Sequence, residues 1–381
     1  MYKLNKELLK INIDKAAQYD FDNQKVFGSA YCVIQENAVV YEQCYGITSL
    51  DTQDPVTKNT IFRLASMTKP ITAVATLILV ERGLLSLSDN VADYLPDFKD
   101  IHITELTKTN ELIDLGKAKN NITILHLLTH SSGIGSIAMS KSRIMTDEDK
   151  KSVDNTVRFF AKIGLDYEPG TKQYYSGIAA FDVLVKIIEQ VTKTDYLDFL
   201  QQEIFEPCDM VDTTFVPTQE QWGRIIAMHD KIDGKCSVAK MKENCVHRDF
   251  PCTHYVGGGG LISTLSDYAK FAKMLLNNGT TPKKQILSKE SFKLLHTGSA
   301  PKRTNANENW GLGVRVVTGG SYETLPVGAY GWSGAYGSHF WIDPANKVAA
   351  IFMKNSQIDG GSRSESGLNF EIAVNASFDR T

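Results

Sequence analysis

Apolar residues recur every three to four positions in several stretches of the chain, which is the spacing of one face of an α-helix. Thr123 and Ser266 are predicted N-caps, and Gly83 and Gly279 are predicted helix ends. The predicted helices cover residues 4–13, 66–83, 123–130, 179–191, 266–279 and the C-terminal stretch LNFEIAVNASF.

β-rich runs lie toward the two ends of the chain. The runs SAYCVIQ and AVVYEQCYG flank Glu36-Asn37, which predicts a hairpin. Four more β-like runs are predicted at residues 311–318, 325–332, 337–342 and 347–354. This order predicts an α+β fold in which an antiparallel sheet is flanked by helices.

The middle of the chain reads mostly as helices and loops. Its tract from Asp230 to Thr253 is polar and unpatterned, which predicts a long surface excursion. We therefore expect an α/β domain with an antiparallel sheet, built from residues 1–83 and 256–381, and a mostly helical domain over residues 84–255.

Composition narrows the class of protein. The 381 residues carry 41 Lys and Arg against 44 Asp and Glu, a formal net charge of −3, which argues against a nucleic-acid-binding surface. The longest apolar stretch, near Ala73 to Val80, is far short of the roughly 20 residues that span a bilayer. No signal peptide is recognisable, so we expect a cytoplasmic protein whose six cysteines are reduced thiols.

The pattern Ser-x-x-Lys occurs three times, as Ser66/Lys69, Ser237/Lys240 and Ser299/Lys302. On a helix this spacing places a hydroxyl and an amine on one face, within reach of a proton transfer that would activate the serine. Pro301 interrupts the third copy, and the second lies in the polar tract. The first opens an apolar helix, although alone it is more typical of a helix N-cap serine followed by a solvent-facing lysine.

A set of longer segments changes that interpretation of the first copy. The segment FRLASMTKPITAVATLILVERGLLSLSDNVADYLPDF resembles the serine β-lactamase superfamily, and is most similar to class C β-lactamases and family VIII carboxylesterases. The likeness continues, in family order, through NNITILHLLTHSSGIG, EPGTKQYYSGIAAFDVLVKIIEQVT, QEIFEPCDMVDTTF, GGGGLISTLSDYAKFAKMLLNNG and GWSGAYGSHFWIDPANKVAAIFMKN. Together these segments span roughly residues 28 to 356.

The resemblance implies the serine β-lactamase/penicillin-binding-protein-like fold, with the site in the cleft between a helical and an α/β domain. It implies that Ser66 is the nucleophile and that Lys69 and Tyr175 move its proton, without deciding which of the two is the base. The register within YYSG selects Tyr175 rather than Tyr174.

The same resemblance implies an oxyanion hole formed by the backbone N–H groups of Ser66 and Ala335. Trp332, Ser333 and Gly334 fall where the family carries its Lys-Thr-Gly element, so they are the expected substrate-binding residues. The glycine is expected to allow a substrate to approach the strand closely.

Two positions depart from the β-lactamase pattern. Gly177 replaces the asparagine of Tyr-x-Asn, and Trp332 replaces the lysine of Lys-Thr-Gly. These replacements remove an amide and a cation that help to hold an anionic lactam, and a Trp-x-Gly element is similar to that of the family's esterases and acyltransferases.

Other groupings point weakly to metals or nucleotides. His126 and His130 have the spacing of a zinc helix but lack its glutamate, and Cys245, His247, Cys252 and His254 match no common zinc module. The glycines at 257–260 are not followed by Lys-Ser/Thr, and no Gly-x-Ser-x-Gly occurs. We therefore expect no metal and no cofactor.

These observations favour a serine hydrolase that works through an acyl-enzyme, a carboxylesterase or acyltransferase acting on a small-molecule ester. A β-lactamase or D-Ala/D-amino-acid peptidase acting on a lactam or amide is the alternative within the enzymes. A non-catalytic penicillin-binding-protein-like module is the alternative from another class, although a pure binder has no need of the Ser66/Lys69 pair.

Overall fold

A computed structural model describes residues 1–109, 111–135, 145–146, 148–241, 255–300, 306–320 and 324–379. The helices are α1 (Lys6–Asp22), α2 (Lys69–Glu81), α3 (Val91–Tyr94), α4 (Ile124–Leu128), α5 (Val153–Ile163), α6 (Ala179–Thr192), α7 (Tyr196–Leu200), α8 (Glu206–Cys208), α9 (Gln219–Gly223), α10 (Leu265–Leu276), α11 (Lys289–Leu295) and α12 (Glu365–Asn375). The strands are β1 (Gly28–Gln35), β2 (Ala38–Gly46), β3 (Ile61–Arg63), β4 (His102–Leu106), β5 (Leu112–Lys117), β6 (His229–Ile232), β7 (Lys235–Val238), β8 (Ile262–Thr264), β9 (Glu308–Trp310), β10 (Arg315–Val317), β11 (Tyr330–Ser333), β12 (His339–Asp343) and β13 (Val348–Met353). Short 3₁₀ turns cover Ala65–Thr68 and Pro96–Phe98, and a π-helical turn, Gln201–Phe205, joins α7 to α8.

The main sheet has seven strands in the order β2-β1-β13-β12-β11-β10-β9. All neighbouring strands are antiparallel. The two ends of the chain meet at its centre, because β1 pairs with β13 from Ala30 opposite Met353 to Gln35 opposite Val348. The hairpin predicted around Glu36-Asn37 is the β1–β2 turn, where both residues have positive φ, 49° and 72°.

Helices cover both faces of the sheet. Along β1, Tyr31 and Val33 pack with α1 and α12, whereas Ala30, Cys32 and Ile34 on the opposite face join the larger core with α10 and α2. This alternation follows from the two-residue repeat of a strand, and every residue of β1 is buried because both faces are covered.

Helix α2 is the central element of the larger core. Its residues from Lys69 to Leu79 are all buried, which is typical of a helix surrounded on all sides by other elements. Pro70 lies in its first turn, where the missing N–H has no intrahelical acceptor. Gly83 follows the C-cap with φ +68°, so the predicted helix end is confirmed, while the first residues of the predicted helix form the 3₁₀ turn.

Most of the predicted helices are present with small changes in their ends. Thr123 caps α4 through a capping box with His126, as predicted. The N-cap of α10 is Thr264 rather than Ser266, because the Thr264 side chain accepts the backbone N–H of Asp267 and Ser266 already lies in the first turn. The predicted α+β class is confirmed, with a seven-stranded antiparallel sheet between helical layers.

The prediction for the middle of the chain missed two hairpins, β4–β5 and β6–β7. Strand β5 is largely exposed on both faces, so its sequence carries no alternation of apolar and polar residues. The β6–β7 hairpin corrects the unpatterned reading of the start of the polar tract, and its turn residues Asp233 and Gly234 both have positive φ. An Asp-Gly pair is a standard hairpin signal that the sequence offered there.

The larger core contains residues from both predicted domains, among them Phe62, Leu184 and Ile351. The domain boundaries at residues 83 and 256 therefore stay a prediction. Within the described residues, no helix combines the length and the apolar character that crossing a membrane requires.

Candidate active site

Ser66 and Lys69 lie where the 3₁₀ turn passes into α2. Lys69 Nζ donates a hydrogen bond to Ser66 Oγ over 3.2 Å, so the predicted juxtaposition of hydroxyl and amine is present. Ala65, directly before the serine, has φ +46°, a left-handed conformation that is unfavourable for a residue with a Cβ. Such strained residues concentrate at functional sites, where the surrounding structure holds them in place.

Lys69 is fully buried, with 0% of its surface exposed. Besides Ser66, its ammonium donates to the backbone carbonyls of Gly177 at 2.5 Å and Gly258 at 2.6 Å. These three acceptors match the three N–H groups of a protonated lysine. The geometry therefore suits Lys69 as an ammonium ion.

Tyr175 is the third member of the group that the sequence predicted. Its hydroxyl donates to Ser66 Oγ over 2.6 Å, and Trp332 Nε1 donates to the Tyr175 oxygen over 3.2 Å. The neighbouring Tyr174 is 55% exposed, which agrees with the register that selected Tyr175. The Lys69 ammonium also lies 5.0 Å from the centre of the Tyr175 ring.

Aromatic side chains hold the Tyr175 ring in place. Trp310 stacks on it with ring centres 5.8 Å apart, and Trp332 lies at 5.3 Å. The His130 ring contacts two of these aromatic rings, with ring centres 4.7 Å from that of Tyr175 and 4.3 Å from that of Trp310. The contacts of Trp310 and His130 with Tyr175 give no signal in the sequence, because neither residue is close to Tyr175 along the chain.

His130 is a buried neutral histidine. Its Nδ1 accepts the backbone N–H of Ser176 over 3.2 Å, which places the ring proton on Nε2. Burial, and then the charge of Lys69, hold the pKa of His130 well below its usual value. His126 is engaged in the Thr123 capping box instead, so the two histidines serve separate structural contacts.

Gly334 brings the end of β11 against the backbone that precedes Ser66. A Cβ at Gly334 would lie 2.3 Å from the carbonyl oxygen of Leu64 and 2.2 Å from Ser338 Oγ. The glycine therefore permits close approach of the strand to Leu64, whereas the sequence had suggested close approach of a substrate. Ala335, the residue after Gly334, is exposed.

The Ser333 side chain lies on the opposite face of β11 from Trp332. Its hydroxyl is hydrogen-bonded to His339 Nδ1 at 2.8 Å, and His339 Nε2 lies 2.9 Å from Glu371 Oε1 on α12. Ser333 and His339 are directly paired across β11 and β12. A substrate contact at Ser333 is consequently left to its backbone.

The glycine segment, residues 257–260, contacts both Lys69 and Asp182. Gly257 N–H donates to Asp182 Oδ1 over 2.8 Å, and the next carbonyl, that of Gly258, accepts from Lys69. Asp182 is fully buried, and this burial raises its pKa to about 8 against the lowering effects of the Gly257 N–H, the Lys69 charge and the Gly258 N–H. Asp182 belongs to no motif of the sequence that predicted the site.

The other candidate groupings lie elsewhere or outside the described residues. Ser237 is on β7 in the hairpin, and Lys302 of the third copy lies outside the described residues. The four Cys and His residues of the predicted excursion also lie outside them: Cys245, His247, Cys252 and His254. In the part of the chain that the structure describes, no three His, Cys, Asp or Glu residues are grouped as a metal site.

Comparison with known proteins gives one consistent family. The family model described as "Beta-lactamase" matches residues 13–372. Protein Rv1367c of Mycobacterium tuberculosis is 27% identical over 349 residues, covering 86% of this chain and 85% of that protein. Esterase EstB of Burkholderia gladioli is 24% identical over 392 residues, covering 95% and 94%. A putative D-alanyl-D-alanine carboxypeptidase of Escherichia coli is 27% identical over 360 residues, covering 85% and 77%.

Solved structures share the fold over nearly the whole chain. The structure of EstCE1, a hydrolase with promiscuous acyltransferase activity, superimposes with a TM-score of 0.80 at 20% identity and covers 97% of this chain and 99% of that one. Unliganded simvastatin synthase from Aspergillus terreus, as its selenomethionyl derivative, gives 0.80 at 19% identity, with 98% and 99% covered. At these identities the likeness establishes the fold alone.

Proposed function

Because this chain belongs to the beta-lactamase family and is a serine hydrolase of that family, we propose that it is a carboxylesterase that works through an acyl-enzyme on Ser66. The observation that carries the proposal is the pair of hydrogen bonds at Ser66 Oγ, one from Lys69 and one from Tyr175. A serine hydroxyl in contact with both groups can pass its proton to the Tyr175 oxygen as it attacks a carbonyl, provided that Tyr175 is then a phenolate.

In this proposal Tyr175 first loses its phenol proton to solvent, and the phenolate oxygen then accepts the proton of Ser66. The three acceptors around Lys69 favour its ammonium form, which has no free electron pair to act as a base. The Lys69 charge and the Trp332 N–H, which donates to the Tyr175 oxygen, both stabilise a phenolate. The role of Lys69 is then electrostatic.

The acyl transfer proceeds in two balanced halves. Ser66 Oγ forms a bond to the acyl carbon, the bond to the leaving alcohol breaks, and Tyr175 returns the proton to the departing oxygen. Water then attacks the acyl carbon and restores Ser66, with Tyr175 taking and returning the proton. The N–H groups of Ser66 and Ala335 are proposed to bind the developing oxyanion, one donor being typically worth about 3 kcal/mol of barrier.

Esters are the proposed substrates because Trp332 and Gly177 offer no side-chain cation or amide that would hold an anionic lactam. Trp332 uses its N–H on Tyr175, where a β-lactamase would carry a cation for the substrate carboxylate. Gly177 contributes a carbonyl to Lys69 and has no side-chain amide to offer a lactam. The similarity to EstB over 95% of the chain supports this choice.

A D-Ala/D-amino-acid peptidase or β-lactamase is the second candidate. The observation that favours it is the 27% identity to a putative D-alanyl-D-alanine carboxypeptidase over 85% of the chain. The two candidates share the acyl-enzyme chemistry and differ in the leaving group and in the need for a cation in the site.

The first test is the intact mass of the protein during turnover of p-nitrophenyl acetate, with Ser66→Ala as the matched control. The proposal expects an acetyl adduct and a burst of p-nitrophenol in the wild type and neither in the variant. Comparing kcat/KM for this ester with that for a chromogenic cephalosporin then separates the two candidates. A stable adduct at another serine would refute the assignment of Ser66.

A further inference from the structure

Asp182 is a buried carboxyl group close to Lys69 that the proposed chemistry does not yet use. It lies in the first turn of α6, with 0% of its surface exposed. Its Oδ1 accepts the Gly257 N–H over 2.8 Å, and the Gly258 N–H also lies close to the carboxylate, whereas its buried Oδ2 accepts no hydrogen bond of good geometry from the described residues. Burying a carboxyl oxygen without a good hydrogen bond is unfavourable, so the presence of Asp182 at this position requires a physical reason.

The glycine segment is held tightly between α6 and α2. A Cβ at Gly257 would lie 2.6 Å from the Phe181 carbonyl oxygen, so this segment presses directly on α6. On the other side, Thr72 Oγ1 donates to the Gly257 carbonyl over 2.8 Å and accepts the Tyr196 hydroxyl over 2.8 Å. With Gly257 fixed by Asp182 and Thr72, the following carbonyl, Gly258, is directed at the Lys69 ammonium.

The charge of Lys69 lacks a negative partner among its direct contacts. Its three acceptors, Ser66 Oγ and the carbonyls of Gly177 and Gly258, are all uncharged. The titratable groups that face this region are Asp182 on α6, Tyr196 on α7, Tyr175 and His130. Burial keeps Tyr196 protonated and His130 neutral, which leaves Asp182 as the group that can supply a negative charge; because burial raises its pKa to about 8, it does so at alkaline pH.

We propose that Asp182 is a positioning residue for Lys69: it anchors the glycine segment whose carbonyl binds the ammonium, and at alkaline pH it supplies a buried negative charge close to that ammonium. The inference rests on the proposed function, because it assigns Lys69 its electrostatic role. A buried cation that loses its counter-charge releases its proton at lower pH.

Two variants separate the anchor from the charge. Asp182→Asn keeps an oxygen for the Gly257 N–H and removes the charge, whereas Asp182→Ala removes both. The readout is the rate at which a fluorophosphonate labels Ser66, followed by intact mass from pH 6 to pH 10, together with kcat and KM for p-nitrophenyl acetate.

We expect the alkaline limb of Asp182→Asn to move to lower pH by about one unit, with a rate at pH 6 close to that of the wild type. Asp182→Ala should lose about 10- to 100-fold in kcat and labelling rate at every pH, with little change in KM, because a displaced Lys69 misaligns the reacting groups. Glu189→Gln removes another carboxylate from the same helix and should leave the profile unchanged; melting temperatures check folding.

If Asp182→Asn keeps the pH profile of the wild type, the proposed role of the Asp182 charge is wrong. If kcat and the labelling rate of Asp182→Ala stay within about threefold of those of the wild type, the proposed role of Asp182 in anchoring the glycine segment is wrong. If Asp182→Ala does not fold, Asp182→Asn still tests the proposal. Failure of the proposed function looks different, because the wild type itself would then not be labelled at Ser66, and this inference would fall with it.

Discussion

The oxygen of Tyr175 takes part in two hydrogen bonds of the site, one with Ser66 and one with Trp332. It lies 2.6 Å from Ser66 Oγ and accepts the N–H of Trp332, while its ring is stacked against Trp310. The hydroxyl can therefore move a proton without moving the ring. Because the ring is held by these contacts, a substitution that removes only the hydroxyl group should leave the ring in place.

Replacement of Tyr175 by Phe tests this role at the level of one atom. The ring keeps its stacking, while the proton path to Ser66 is removed, so kcat/KM for p-nitrophenyl acetate should fall about 100- to 10,000-fold. Tyr174→Phe is the matched control, because Tyr174 is exposed and adjacent in the chain, and its activity should stay within about twofold. Equal activity of the two variants would exclude Tyr175 as the proton carrier.

The last residues of strand β11 and the glycine after it contact three different parts of the molecule. Trp332 points to Tyr175, Ser333 is hydrogen-bonded to His339 on the other face, and Gly334 lies against Leu64. Gly334 N–H also donates to the Ser338 carbonyl over 2.7 Å, which closes the turn that carries Ala335. The position of the proposed oxyanion donor therefore depends on how closely this strand can approach the serine turn.

Gly334→Ala tests the approach of the strand. The added Cβ would meet backbone, which cannot rotate away, so we expect a loss of about 1–3 kcal/mol in the free energy of unfolding. Displacement of the Ala335 N–H should also lower kcat by about tenfold or more with little change in KM. Urea denaturation and steady-state kinetics measure the two effects.

Gly223→Ala is the control for this variant, because a Cβ there meets no atom within 4 Å. Its stability and activity should equal or slightly exceed those of the wild type. If Gly334→Ala loses stability but keeps kcat, the strand end does not position an oxyanion donor.

At the scale of the whole molecule, α12 is tied to the end of β13 by a buried ion pair. Lys354 is 0% exposed, and its ammonium donates to Asp359 Oδ2 over 2.7 Å and to Ser366 Oγ over 2.8 Å. Although burial acts to raise it, the Lys354 charge and hydrogen bonds lower the pKa of Asp359 overall. Asp359 also accepts backbone N–H groups in the first turn of α12.

Asp359→Asn should lower the free energy of unfolding at pH 7 by about 3 kcal/mol, because the buried Lys354 charge loses its hydrogen-bonded carboxylate and keeps only the attraction of Asp20. A carboxyl with a lowered pKa contributes stability above its unfolded value near 3.8 and loses it as pH falls toward its folded value. The difference between the wild type and this variant should therefore shrink below about pH 4. Urea midpoints at pH 7, 5 and 3 check this trend.

Asp100→Asn provides the contrast, because Asp100 forms an exposed ion pair with Lys117. Solvent screens such a pair, and its removal should change stability little at any of these pH values. A constant difference between the wild type and Asp359→Asn from pH 7 to pH 3 would contradict the role of the Asp359 charge.

The features that follow from neighbours in the chain were predictable. The caps of α4, the end of α2, the Glu36-Asn37 turn and the spacing of Ser66 and Lys69 depend on residues within about one helical turn of each other. The ordered family motifs added Tyr175 and Trp332, and the structure brings both of them to Ser66 directly or through one hydrogen bond.

The remaining features depend on contacts between distant parts of the chain. Lys69 meets Gly258 across 189 positions, and Asp182 meets Gly257 across 75. Asp182 on an apolar helix gives no local sign of such a contact, because its burial is a property of α6 packed against the glycine segment. The sequence thus pointed to Ser66 as the proposed nucleophile and to Lys69 as its local partner. The acceptors around Lys69, the aromatic contacts of Tyr175 and the burial of Asp182 arise from the packing of segments that only folding brings together.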